Sequence, residues 1–239
     1  MEMETTAVPM SLPSRLIGVF FSPGQVFQSL RESPSFIPPM VIGIVATLLA
    51  LYLIAPITNQ FAIDQAREKD PNMSQEQVQR LQAVMSSPMV IAISVVGTLV
   101  GVPVIQLVYA LLFRMTFQLV TGNLTTVRQA LSVVSYSNLI MLLGFCVTLP
   151  LILAAGRPDI TLNLGSLAPF LDEQNIVFRL LKNIEIFTGW WMVLLGIGYG
   201  ILCQVATVRA VKICLSLWVV WILLKTLAGV FFGQYLPGL

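Results

Sequence analysis

Lys225 is the residue in this chain whose position most invites chemistry. It sits in "WVVWILLKTLAG", a run with no other charge. An ammonium at membrane depth costs about 2.5–3.5 kcal/mol on insertion scales, and such groups serve ion paths, proton relays and counter-ions. The same side chain carries four methylenes and can instead snorkel toward an interface. Its candidate partner is Glu185, in "NIEIFTGWW". An opposite charge on that side lowers the cost of both groups. Other polar residues recur in apolar surroundings: Gln106, Tyr109, Ser132, Ser135, Tyr136, Ser137, Asn138 and Gln204. At membrane depth such side chains face a bundle interior, where they either line a path or bond helix to helix.

Other chemistries are poorly provided for. The chain has no His, so it lacks the commonest general base and metal ligand. GxSxG, HExxH and P-loop patterns do not occur, and the apolar runs contain no Asp. Cys146, Cys203 and Cys214 stand singly within apolar stretches, without CxxC spacing, and read as small buried hydrophobes. The residues therefore point to a protein that is not an enzyme and needs no cofactor or metal.

The elements that must position these residues are membrane helices. Of 239 residues, 56% are hydrophobic and 10% charged, with a mean hydropathy of +0.87. Soluble domains carry about 25% charged residues. So apolar a chain has too little polar surface to cover a soluble globule. Net charge is +2 and dispersed, which gives no footprint for a nucleic-acid partner. Crossing about 30 Å of hydrocarbon takes about 20 helical residues. Five stretches suffice: 36–57, 88–113 (continuing as helix toward 120), 127–155, 186–207 and 213–232. The fold expected is an all-α integral membrane protein, a bundle of five transmembrane helices with amphipathic interfacial helices. Residues 1–35 form an N-terminal segment with an amphipathic juxtamembrane helix, and 36–239 the five-span domain. The first residues are acidic, and 16–21 is too short for a signal-peptide core, so the first span is expected to act as an uncleaved targeting signal.

Amphipathic helices recur between the spans. In "SPGQVFQSLRE", Ser22 is the N-cap, Pro23 the first helical residue, and Val26, Phe27 and Leu30 share a face. That face either dips into the headgroup boundary or packs on the ends of the bundle. In "MSQEQVQRLQAVMSSP", Ser74 and Gln77 form a capping box before Val78, Leu81 and Met85. Thr126 and Gln129 form another, opening the third span. Ile176, Val177, Leu180, Leu181 and Ile184 line a face before the fourth. Pro103 is expected to kink the second span, and Pro150 lies late in the third. Gly97–Gly101 and Gly196–Gly200 have the small-xxx-small spacing of close helix contacts, internal or to a membrane-protein partner or second copy.

Lys and Arg set orientation. The alternating segments carry six each, so the raw count ties. One set is Arg15, Arg31, Arg114, Arg128, Arg209 and Lys212, four of them in short loops without acidic neighbours. The other is Arg67, Lys69, Arg80, Arg157, Arg179 and Lys182, mixed with Asp64, Glu68, Asp70, Glu76, Asp159, Asp172, Glu173 and Glu185. Unopposed positives near span ends favour a cytoplasmic N-terminus and an outside C-terminus.

Four segments together resemble the Yip family (Ypt-interacting proteins) in its short bacterial form. They are "RLIGVFFSPGQVFQSL" with Pro23 and Phe27, "MSQEQVQRLQAVMSSP", "LVTGNLTTVRQALSVVSYSNL" and "NIEIFTGWWMVLLGIGYG". In the third, Gly122, Arg128, Gln129, Tyr136 and Ser137 carry the likeness; in the fourth, Glu185, Phe187, Trp190 and Gly196. The resemblance implies five membrane helices with the N-terminus inside. Eukaryotic members act in vesicle traffic with Rab-type GTPases, and some bacterial relatives appear alongside efflux-type transporter components. The Asp-Leu-Tyr-Gly-Pro motif of eukaryotic members does not occur in this sequence.

The expected function is that of a non-catalytic membrane protein of a bacterial inner membrane, whose partner is the lipid bilayer and which organises membrane or a partner complex. The alternative is a transporter or efflux subunit using Lys225, Glu185, Gln106, Tyr109, Tyr136, Asn138 and Gln204, with Val26, Phe27, Leu30 and Arg128 at the interface. A tag fused after Leu239 should be reached by impermeant reagents in intact cells, and a cytoplasmic tag would invert the orientation.

Overall fold

The computed structural model describes residues 10–168, 170–172 and 175–232. Glu173 and the two chain ends, including the Leu239 terminus, lie outside them. The described residues form helices, with an isolated antiparallel bridge between Asn163 and Glu185. In order these are α1 (Leu12–Phe21), α2 (Pro23–Glu32), α3 (Ile37–Lys69), α4 (Gln75–Met85), α5 (Pro88–Thr121), α6 (Val127–Ser137) and α7 (Leu139–Ala155). A short 3-10 helix (Leu164–Leu167) then precedes α8 (Ile176–Lys182), α9 (Ile186–Leu202) and α10 (Thr207–Phe232).

Four stretches are long and apolar enough to cross a membrane: Ile37–Lys69, Pro88–Thr121, Val127–Ala155 and Thr207–Val230. The fourth expected span is shorter than the sequence suggests. It ends at Leu202 after 17 residues, because the chain turns at Cys203 and Gln204, the latter at φ 54° in the left-handed region. The expected loop at 208–212 is instead the first turns of α10, where nothing opposes a helix.

The other differences also follow from local chemistry. α1 is a helix that the apolar pattern before Pro23 did not announce. Ser11 caps it by accepting from the Ser14 amide, and Pro13 lies in its first turn. Ser22 ends α1 and starts α2, but caps α2 without a side-chain hydrogen bond. α3 continues past residue 57 to Lys69, since Asn59–Lys69 contains no breaker before Asp70 and Pro71. At 1.5 Å per residue, α3 and α5 are each about 50 Å long, well beyond the hydrocarbon thickness. Their extensions hold α4, whose Ser74–Gln77 capping box forms and whose Val78 is buried. The Thr126–Gln129 box forms too, and the third span is divided at Asn138, where α6 gives way to α7.

The core gathers around α9, which packs against α10, α2, α6 and α7. Val26, Phe27 and Leu30 of α2 meet Phe113 and Phe117 of α5, Val133 and Val134 of α6, and Leu194, Leu195 and Tyr199 of α9 in one buried cluster. Outward residues such as Val41, Val45 and Leu49 on α3 and Ile93, Val96 and Val100 on α5 form an apolar exterior.

Small residues permit the closest approaches. A Cβ at Gly196 would lie 2.5 Å from the Val211 Cα, and one at Gly200 would lie 3.0 Å from the Ala210 Cβ. Gly198 faces Val133 as tightly. The Gly196–Gly200 face is therefore an internal seam with α10, not an external surface. Gly97 and Gly101 have nothing within 4 Å of such a Cβ. Gly196→Ala should cost about 1–3 kcal/mol through overpacking. Gly97→Ala should be neutral or gain up to about 1 kcal/mol from helix propensity. Melting of the detergent-solubilised variants reads both, and equal melting temperatures would contradict this packing.

Candidate functional site

The polar side chains collect at one end of the bundle, where α2 ends and α3 begins. We call this the near end. Backbone carbonyls act there as sockets. Arg15 of α1 reaches Ser33, donating to its carbonyl at 3.2 Å and to its hydroxyl at 2.5 Å. Gln129 closes its capping box through Oε1 while its Nε2 donates to the Arg31 carbonyl at 2.9 Å. Arg114 Nε donates to the Thr125 carbonyl at 2.7 Å. Asn123 Nδ2 donates to the Cys203 carbonyl, also at 2.7 Å. The Gln204 carboxamide, oriented with its oxygen toward Arg31, accepts from that guanidinium. Five chain segments are thus pinned together, and Arg15, Arg31, Arg114, Arg128, Arg209 and Lys212 come to the same end.

This geometry corrects several expectations. Val26, Phe27 and Leu30 are fully buried against the bundle and do not meet lipid. Amphipathic spacing demands an apolar cover, and here α9 and α6 supply it. Gln204 is exposed in the α9–α10 turn rather than inside a span, because α9 stops two residues before it. Asn138 is half-buried at the α6–α7 junction, and its amide donates to the Val134 carbonyl at 2.9 Å. Arg128 is exposed beside Gln129. Cys203 and Cys214 are buried, whereas Cys146 is on the exterior.

Within the bundle, Gln106 is buried and accepts from the Ser135 hydroxyl at 2.6 Å, joining α5 to α6. Tyr109 lies partly exposed, edge-on to Trp191 with centroids 5.1 Å apart. It begins a ladder on α5: Phe113 packs on both Trp191 and Tyr199, and Phe117 stacks on Tyr199 at 5.0 Å. Tyr199 anchors the ladder by donating to the Ala110 carbonyl at 3.1 Å. Tyr136 is fully buried. Its hydroxyl, the Ser137 hydroxyl and the Trp191 indole N–H have no protein partner among the described residues.

Lys225 and Glu185 are not brought together. Lys225 is exposed on α10 and forms no ion pair among the described residues. Because α10 starts at Thr207, Lys225 lies about 27 Å along it, and only about 10 Å remain to Phe232. That depth suits snorkelling toward the far end. Glu185 precedes the first residue of α9 and accepts from the Thr188 hydroxyl at 3.0 Å. α8 is fastened to α10 by other groups: Arg179 donates to the Gly229 carbonyl, and Asn183 donates to Thr226. At the same end Arg157 bonds Asp159 and holds its carboxyl below the usual range.

Sequence reasoning used Arg15 only for orientation and passed over Asn123, Trp191 and Tyr199. The i, i+4 spacing of Tyr109, Phe113 and Phe117 is the signal from which the ladder could have been read; nothing local marks Asn123. Ser135→Ala should cost about 1 kcal/mol by stranding Gln106, and Gln106→Leu combined with Ser135→Ala should recover part of that loss. A double-mutant cycle read by thermal melting checks the pair, and strict additivity would mean the bond is not formed.

The chain matches the family model described as the Yip1 domain over residues 17–229. The "Membrane protein YknW" of Bacillus subtilis (strain 168) is 25% identical over 189 residues, covering 77% of this chain and 76% of that protein. No solved structure matches.

Proposed function

The chain belongs to the Yip1 domain family, and we propose that it is a non-catalytic multi-pass membrane protein that organises a membrane region or a partner complex. One observation carries this reading: of the polar residues that would line a transport path, Gln106 is spent on joining two helices, while Gln204 and Lys225 lie outside the bundle interior. Gln106 and Ser135 satisfy each other, Tyr199 bonds a backbone carbonyl, and Gln204 lies outside the bundle on Arg31. Lys225 faces outward rather than into a polar interior. What remains is a braced helical scaffold with a cationic end, which suits a platform better than a conduit.

The reading includes a fifth crossing. α9 is about 25 Å long, slightly short of the hydrocarbon thickness, and is surrounded by other helices. Short spans are accommodated when neighbours cover their ends. With α9 counted, the start of α3 and the end of α10 lie on opposite sides. The unopposed arginines of the near end then favour the cytoplasmic side of a bacterial inner membrane. The relative in Bacillus subtilis is described as a membrane protein, in keeping with that location.

Affinity purification of the tagged full-length protein in mild detergent, with mass spectrometry of proteins and lipids, tests the proposal. A stoichiometric membrane partner or a retained lipid class is expected. A folded, lipid-free, partner-free preparation that moves a solute across liposomes would replace this reading with transport.

A further inference from the structure

α1 packs on α2, α6 and α7 with one side and presents an apolar outer side that no described element covers. Its inner side holds Val19, fully buried, and Arg15, only 8% exposed. Arg15 is the helix's one charge, and it is turned inward onto Ser33. The outer side is left uncharged, with Ile17 61% and Phe21 82% exposed and Phe20 half-buried beside them. Residues 17 and 21 are one helical turn apart and point the same way. α2 shows the opposite arrangement, its apolar residues buried and Gln25 and Gln28 exposed.

The surroundings of α1 carry a charge signature. Arg128, Arg209 and Lys212 are exposed at the same end and form no ion pair among the described residues. Among the described residues of that end, Glu32 supplies the acidic charge. Apolar anchors beside unopposed cations are the combination that holds a helix at an anionic membrane surface.

We propose that the near end is an anionic-lipid site. α1 lays Ile17 and Phe21 into the adjoining leaflet, and Arg128, Arg209 and Lys212 hold phosphate-bearing headgroups beside it. The proposal deepens the membrane-organising reading by naming the lipid class. It stands or falls apart from any protein partner, because its test uses the purified chain alone.

The experiment places the full-length protein in nanodiscs of phosphatidylcholine, with and without phosphatidylglycerol. A fluorophore on Phe21→Cys, corrected for labelling of the unsubstituted chain, should be quenched by lipid-attached quenchers, and one on Gln28→Cys should not. Phosphatidylglycerol should be enriched among the protein's bound lipids. That preference should weaken by on the order of fivefold for each of Arg128→Gln, Arg209→Gln and Lys212→Gln, and with added salt. Because all three side chains are exposed, the single variants serve if the triple variant does not fold. An unquenched label at position 21 would overturn the proposal. So would a lipid preference indifferent to the three substitutions, or a near end that binds an acidic peptide but shows no preference among lipids.

Discussion

Everything in this fold rests on how closely two helices come to α9. Inside a bilayer, apolar side chains gain nothing by leaving lipid for protein, so helices associate through close packing and hydrogen bonds. Gly196 and Gly200 let α10 lie almost on the backbone of α9, and Gly198 admits Val133 of α6 from another side. With α9 fixed between them, its aromatic residues meet the α5 ladder, and its near end provides the surface on which α2 sits. A bulkier α9 would separate α6 from α10 and leave α2 without its main contact.

Hydrogen bonds then do what packing cannot, which is to fix register. Gln106 with Ser135 and Tyr199 with the Ala110 carbonyl set the heights of α6 and α9 against α5. At the near end, Gln129, Asn123 and Arg114 set the loops relative to one another. A buried polar group without a partner is costly, so each of these bonds also penalises alternative packings. The cations at that end therefore divide into two kinds. Arg15 and Arg114 are structural, whereas Arg128, Arg209 and Lys212 remain on the surface.

Much of the architecture was legible in the sequence, and the limits of that legibility are physical. Length and hydropathy marked the spans over 36–57, 88–113, 127–155 and 213–232, and the Ser74–Gln77 and Thr126–Gln129 boxes are local devices that read directly. Burial of Phe27 was not legible, because spacing reveals a face that avoids water without saying whether protein or lipid covers it. Gly97–Gly101 and Gly196–Gly200 have the same spacing and opposite surroundings, one open and one sealed, a distinction made only by the tertiary arrangement. The Lys225–Glu185 pairing failed for a similar reason. Residues 179–183 lie level with Thr226 and Gly229, so height was not the obstacle; Lys225 is turned to the exterior of α10, a facing that position along the helix does not reveal.

The near-end bonds have a further consequence for how such a chain can drift under mutation. Asn123, Gln129 and Arg114 donate from side chains, but Cys203, Arg31 and Thr125 receive through main-chain oxygens. Every residue type brings that oxygen. The receiving positions are therefore free, as far as these bonds go, to exchange one side chain for another, while the donors are held to types with the right reach. The joint is lopsided in what it demands of the genetic text: half of each contact is written in the backbone and half in the code.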